Sequence, residues 1–150
     1  MMNITCFVIG MIGTNVYLIQ DEATGKLAVI DPADHSDELL EQIEEHGGDV
    51  AYILLTHGHY DHIMGVAELC EKYHPTVCAS RIELPVIEEP SYNLSKPHGI
   101  TVAPFQVDRA LEDGDTIRVD VRVEFSGGDV IGTHTMEQLR VLDALSEEEL

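Results

Sequence analysis

Apolar and polar residues change period several times along this 150-residue chain, and each change marks a predicted element. Residues 4–9, 15–20 and 27–31 are short β-favouring runs separated by turn signals at 10–13 and 21–26. They predict three antiparallel strands at the start. Over residues 36–46 the period lengthens: Leu39, Leu40 and Ile43 recur at helical spacing, acids occupy the first turn, and Gly47 and Gly48 supply a stop. That is the pattern of an amphipathic helix. Residues 50–55 form a continuous apolar run, as expected of a strand covered on both faces, and residues 63–73 put Val66, Leu69, Cys70 and Tyr73 on one helical face. A short strand at 76–79, a brief helix at 81–89 interrupted at Pro85, and a Pro- and Ser-rich loop follow. Residues 116–125 alternate as a strand or hairpin, and residues 135–145 are predicted to close the chain as a helix, with Thr135 and Gln138 at capping-box spacing. With no repeat or linker in the pattern, residues 1–150 are expected to form one α/β domain of α+β character.

Composition adds bounds. A chain of this length buries roughly 68–70% of the surface its unfolded form exposes and can fold without staples. The start lacks the basic residues and cleavage pattern of a signal peptide, and no apolar run approaches the ~18 residues of a membrane span. The expectation is a cytoplasmic protein with no membrane partner. Cys6, Cys70 and Cys78 are odd in number, scattered and set in apolar sequence, so they are expected to be buried reduced thiols. Charge is lopsided: 8 Lys and Arg face 28 Asp and Glu, for a net of -20. A field of that sign repels phosphate backbones, which argues against nucleic acid as a partner.

The candidate chemistry lies in Thr56-His57-Gly58-His59-Tyr60-Asp61-His62, where three histidines and an aspartate follow the apolar run directly. The cluster falls on a strand-to-helix loop, the end of a strand where open α/β sheets place their ligands. Imidazole and carboxylate are ligands for zinc and similar divalent ions, and the set suits iron or manganese as well. His57 and His59 are two apart, so in an extended segment they point the same way and can grip one ion. Asp61 and His62 begin the turn and can reach a second. Two ions about 3.5–4 Å apart can share a hydroxide and polarise a carbonyl or phosphoryl oxygen, which is hydrolytic chemistry. Gly58 lets the backbone come close, and Tyr60 is expected to pack. His35, His98 and His134 are more readily explained as loop or helix-entry residues than as ligands.

The T-H-G-H-Y-D-H stretch resembles the H-x-H-x-D-H signature of the metallo-β-lactamase-fold hydrolases. N-V-Y-L-I-Q and A-V-I-D-P-A-D before it, and N-L-S (residues 93–95) and L-E-D-G-D-T-I (residues 111–117) after it, are similar to the glyoxalase II (hydroxyacylglutathione hydrolase) branch. The resemblance implies an αββα sandwich with a binuclear site, usually two Zn2+ ions. It also implies hydrolysis of a small-molecule ester or thioester, in which a metal-held hydroxide attacks the carbonyl and Asp61 both orients it and helps hold the second ion.

The resemblance breaks after residue 123. The family's T-P-G-H-T element, which carries a further ligand histidine, has no counterpart. Phe125-Ser126-Gly127-Gly128-Asp129 looks instead like the later F-S-G-D segment, which would make Asp129 the carboxylate bridging both metals. The family's last P-G-H-G turn is not reached either. What the resemblance implies is a member shortened in its C-terminal half, with an incomplete second sheet. Unpaired edges invite association, so a homodimer is expected. The alternative function is a non-catalytic or weakly metal-binding remnant, because losing ligands lowers affinity and leaves the hydroxide poorly placed.

Overall fold

The computed structural model describes residues 2–118, 122–126, 130–131, 134–135 and 138–142, with side chains through residue 117. β1 (Met2–Ile9) and β2 (Thr14–Asp21) form an antiparallel hairpin in register from Met2 opposite Asp21 to Ile9 opposite Thr14. The chain reverses over Gly10–Gly13, both at positive φ, where residues with a Cβ would be strained. β3 (Leu27–Ile30) pairs antiparallel with β2 and is buried along its whole length.

From β3 the chain crosses over through α1 (Asp37–Glu45) to β4 (Val50–Leu54), which lies parallel to β3. Ser36 caps α1 by accepting from the Leu39 N–H at 3.1 Å, Asp37 and Glu38 complement the helix dipole, and Leu39 and Ile43 face the core. A second crossover leads through α2 (Tyr60–Ile63) and α3 (Val66–Tyr73) to β5 (Thr76–Ser80), parallel to β4. The helix expected over 63–73 is thus two helices. The break falls at Gly65, whose N–H donates to the Pro32 carbonyl at 2.9 Å and where a Cβ would lie 2.6 Å from the Asp34 carbonyl oxygen.

A 3-10 turn (Arg81–Glu83) and α4 (Leu84–Glu88) follow, with Pro85 in the first turn of α4. There its missing N–H costs nothing, so it starts the helix rather than interrupting one. An irregular segment then leads to β6 (Arg109–Leu111), which pairs parallel with β5 and which sequence pattern did not foresee. The main sheet has the order β1-β2-β3-β4-β5-β6.

Two apolar clusters pack on its opposite faces. Leu18, Val29, Ile53 and Val77 meet the helices through Leu39, Ile43, Ile63 and Leu69. On the other face Ile19, Ile30, Leu54 and Cys78 meet Leu111 and Ile117. Adjacent Ile53 and Leu54 thus go to opposite clusters, as the two-residue period of a strand buried on both faces requires. Each such side chain contributes roughly 1.5–3 kcal/mol relative to exposure.

Ile117 belongs to β7 (Thr116–Arg118), which with β8 (Arg122–Ser126) and β11 (Gln138–Leu142) forms an antiparallel sheet ordered β11-β8-β7. β9 (Val130–Ile131) and β10 (His134–Thr135) form a separate short pair. The expected helix over 135–145 is therefore corrected to a strand over Gln138–Leu142. Gln138-Leu139-Arg140-Val141 alternates with period two, and pairing in register with β8, Leu139 opposite Phe125 and Val141 opposite Val123, supplies backbone partners that outweigh a local capping signal. Cys6 is a second correction: all three cysteines are free, Cys78 is buried, and Cys6 is exposed on β1 because the outer strand leaves that position uncovered. The whole is an α/β fold with a partial second sheet.

Candidate metal centre

β3 and β4 run parallel with Ile30 beside Leu54, so the chain leaves both strands at the same edge. The next residue after β3 is Asp31, only 4% exposed and at φ 53°. Its carboxylate reaches across to the start of the histidine loop. Oδ1 accepts from the Thr56 N–H at 2.8 Å, while Oδ2 accepts from the Thr56 hydroxyl and lies 2.9 Å from His62 Nδ1. The Thr56 oxygen, having given its proton to Asp31, lies 3.0 Å from His57 Nδ1 and can accept from it.

These contacts assign the tautomers. With Nδ1–H of His57 given to Thr56 and Nδ1–H of His62 given to Asp31, each ring turns its Nε2 outward. The two rings lie 4.0 Å apart between centroids, and His59 stands edge-on to His57 at 4.8 Å. Asp61 Oδ2 accepts from the buried Thr14 hydroxyl at 2.8 Å and faces His62 Nε2 at 3.3 Å.

Electrostatics separates the histidines. Burial, with His62 and His59 as further charges of the same sign, pushes His57 down to about 4, so it is neutral near pH 7. Burial works against a charged His62 too, but the hydrogen bond and charge of Asp31, joined by the charge of Asp61, win and hold it above the ordinary histidine range. When His62 is protonated, its Nε2–H lies between the ring and Asp61 Oδ2, 3.3 Å away. A divalent cation can take the place of that proton, so the donor chemistry of the site fits a metal.

Asp31, His57 and His62 each offer a ligand atom, all within 4.8 Å of one another. Asp31 is already committed, since its oxygens accept from Thr56 and His62, so it acts as an orienting partner behind the ligands. Sequence spacing grouped His57 with His59 and Asp61 with His62; the converging ligand atoms among the described residues instead put His57 with His62 and Asp31, across that grouping. Asp129 lies outside the described residues. Tyr60 packs as expected, 7% exposed, with its ring centroid 5.2 Å from that of His98. His98 Nδ1 is held in its own turn by the Leu94 carbonyl at 2.8 Å, and His35 pairs with Glu68 at 2.7 Å. Sequence reasoning passed over Asp31 and Thr14 as site residues; the signal for Asp31 was its place directly after a buried strand.

A pocket of about 240 Å³ opens beside Asp61, between the hairpin tip at Met11 and Ile12 and the apolar side chains of Ala33, Met64 and Ile100. It has the character of a small-molecule site, apolar walls next to a few placed polar groups.

Comparison with known proteins agrees with the geometry. Residues 9–141 match the family described as the Metallo-beta-lactamase superfamily. A hydroxyacylglutathione hydrolase of Saccharophagus degradans is 31% identical over 140 residues, 92% of this chain and 46% of that protein. One from Bradyrhizobium sp. (strain BTAi1) is 37% identical over 103 residues, 69% of this chain and 33% of that one. The chain thus spans less than half the length of these curated relatives. Among solved structures, the B3 metallo-beta-lactamase BLEG-1 superposes with a TM-score of 0.75 at 21% identity, covering 82% of this chain and 60% of that one. TTHA1623, solved in a di-iron-bound form, superposes with a TM-score of 0.66 at 29% identity, covering 80% and 59%.

Proposed function

The chain belongs to the metallo-beta-lactamase superfamily, and from that premise we propose that it is a metal-dependent hydrolase of the glyoxalase II-like branch, acting on the carbonyl of a small ester or thioester. The observation that carries this is the pair of assigned tautomers: Thr56 and Asp31 turn the Nε2 atoms of His57 and His62 outward beside Asp61. His57 and His59 would hold one ion, and Asp61 and His62 the second. Asp129 would bridge them, a role that rests on its resemblance to F-S-G-D. Zinc is the proposed metal; iron and manganese suit the same donors, and the relative TTHA1623 has a di-iron-bound form.

A bound divalent ion supplies an acidified water and a polarised carbonyl oxygen. The rest is the work of the chain. Asp31 keeps His62 in one tautomer and orientation, and Thr56 does the same for His57. Thr14 fixes one carboxylate oxygen of Asp61, leaving the other to accept a proton or orient the attacking water. The apolar side chains of Met11, Ile12, Met64 and Ile100 would take a small substrate group beside the reacting carbonyl.

A second reading, a weakly metal-binding remnant, is favoured by the missing T-P-G-H-T element. Elemental mass spectrometry of protein stripped with chelator and reloaded with zinc, beside a His57→Ala/His59→Ala control, separates the two. About two zinc ions per chain, lost in the control and accompanied by thioester hydrolysis, is expected; bound zinc without turnover, or none, supports the remnant.

Localisation and assembly belong to the same proposal. No described helix is long and apolar enough to cross a membrane, and a cytoplasmic enzyme is proposed. A homodimer is proposed through β1. It lies at the end of the main sheet, carries exposed Ile4 and Val8, and belongs to a stretch, residues 1–20, without one charged side chain in a chain of net charge -20. An uncharged edge of eight residues lacks the protection that edge strands ordinarily carry.

A further inference from the structure

The histidine loop is tied down at every second residue. The Thr56 N–H donates to Asp31, the Gly58 N–H to Glu83 Oε2 at 2.6 Å, and the Tyr60 N–H to the Asn93 carbonyl at 2.8 Å. Between these three anchors project His57 and His59. The outer two anchors have ordinary structural reasons: Thr56 lies just beyond the end of β4, where Asp31 leaves the neighbouring strand, and Tyr60 opens α2. The middle one does not.

Glu83 ends the 3-10 turn after β5 and is 0% exposed. One of its oxygens serves the Gly58 amide, and the other, Oε1, finds no hydrogen-bond partner among the described residues. Burial pushes its carboxyl up to about 7, with the Gly58 hydrogen bond pulling the other way. A half-satisfied carboxyl in a closed interior works against folding, whether it is ionised or has taken up a proton that meets no acceptor. An apolar side chain of similar length would fill the same space without that penalty. The fold alone gives no reason for an acid here.

The loop does give one. The backbone at Gly58 runs so close to α4 that a Cβ would sit 2.8 Å from Ile87 Cγ1 and 3.1 Å from Glu83 Oε2. In that position its buried amide is turned away from solvent, and the acceptor it finds is Glu83. We propose that Glu83 is a positioning residue for the metal centre: by holding the Gly58 amide it sets the spacing of His57 and His59. The proposal rests on the metal reading of the loop. A ligand set displaced by a fraction of an ångström loses affinity steeply, and a residue behind the ligands of this kind is worth about 10–100-fold in binding.

Two substitutions separate positioning from folding. Glu83→Met matches the shape and removes the acceptor; Glu83→Gln keeps a carbonyl oxygen for the Gly58 N–H. Zinc affinity would be measured by competition with a chelating dye, thermal stability on the zinc-free protein, and the Gly58 amide by proton–nitrogen NMR and hydrogen exchange. The expected result is a zinc-free Glu83→Met protein that still folds, with relief of the half-satisfied carboxyl offsetting the Gly58 amide left without its acceptor, yet binds zinc about tenfold or more weaker, with the Gly58 amide proton shifted upfield and exchanging faster. Glu83→Gln should stay near wild type in all three. Wild-type zinc affinity in Glu83→Met, equal losses in both variants, or collapse of the Glu83→Met fold would each overturn the proposal. If the wild-type protein takes up no zinc, the metal reading fails by itself. The Gly58 amide in the two zinc-free variants then still decides whether Glu83 holds the loop, and an unchanged amide in Glu83→Met sinks that too.

Discussion

Replacing Gly58 with alanine adds one methyl group at the tightest point of the site. The position has no positive φ, so the backbone itself accepts alanine, and on unfolded-chain entropy alone the change would stabilise by about 0.4–1 kcal/mol. Packing decides the sign. The added Cβ would lie 2.8 Å from Ile87 Cγ1, 3.0 Å from the Ile87 backbone nitrogen and 3.1 Å from Glu83 Oε2, against the roughly 3.5–4.0 Å of a relaxed carbon contact. The Ile87 side chain can rotate; its backbone nitrogen, inside α4, cannot. The loop must therefore lift by about half an ångström or more, at the usual overpacking cost of about 1–3 kcal/mol. The net expectation is a loss of about 1–2 kcal/mol, seen as a melting point lower by several degrees in a chain of this size. Zinc affinity should fall by about 10–100-fold, because His57 and His59 move with the loop. Thermal melts with and without zinc, and a dye-competition titration, measure both. Wild-type stability together with wild-type affinity in the alanine variant would refute the close packing of this loop on α4.

Thr14→Val should cost no more than about 1 kcal/mol of stability while lowering esterase kcat about tenfold, since Asp61 loses the hydroxyl that orients it; an unchanged kcat would remove Thr14 from the site. Glu83 ionises in the fold near 7 and in the unfolded chain near 4.5, so between those values the folded state binds more protons and stability drops as pH rises, by on the order of 3 kcal/mol in total. Subtracting the pH–stability curve of Glu83→Gln from that of the zinc-free wild type should isolate this fall, and a flat difference would mean the carboxyl is not buried as described. Chain mass by light scattering tests assembly: a dimer that becomes monomeric in Val8→Lys is expected, and a strictly monomeric wild type ends the edge-pairing proposal.

Much of the fold was legible because the signals are local. β-Favouring runs between turn signals marked the opening strands, residues 36–46 and the paired glycines bracketed α1, and a continuous apolar run identified β4 as buried on both faces. Signals that compete locally were decided by partners elsewhere. Gln138–Leu142 carries both a helical and a strand pattern, and pairing with β8 chose the strand. Residues 63–73 read as one helix until Gly65 came under the Pro32 and Asp34 carbonyls.

The site divides along the same line. His57, His59, Asp61 and His62 announce themselves by spacing within one loop, since ligands that grip one cluster of charge must be near neighbours. The residues that make the loop a site do not. Asp31 meets Thr56 across 25 positions and His62 across 31, Glu83 meets Gly58 across 25, and Thr14 meets Asp61 across 47. Those pairings exist only because parallel β3 and β4 end at one edge, the β1–β2 hairpin turns toward it, and the chain after β5 returns beneath it. Spacing along one loop is enough to mark which side chains carry cation-type donors; which way those donors point is a matter of packing, because hydrogen-bond partners for buried rings and amides come from whichever strand ends the fold brings together.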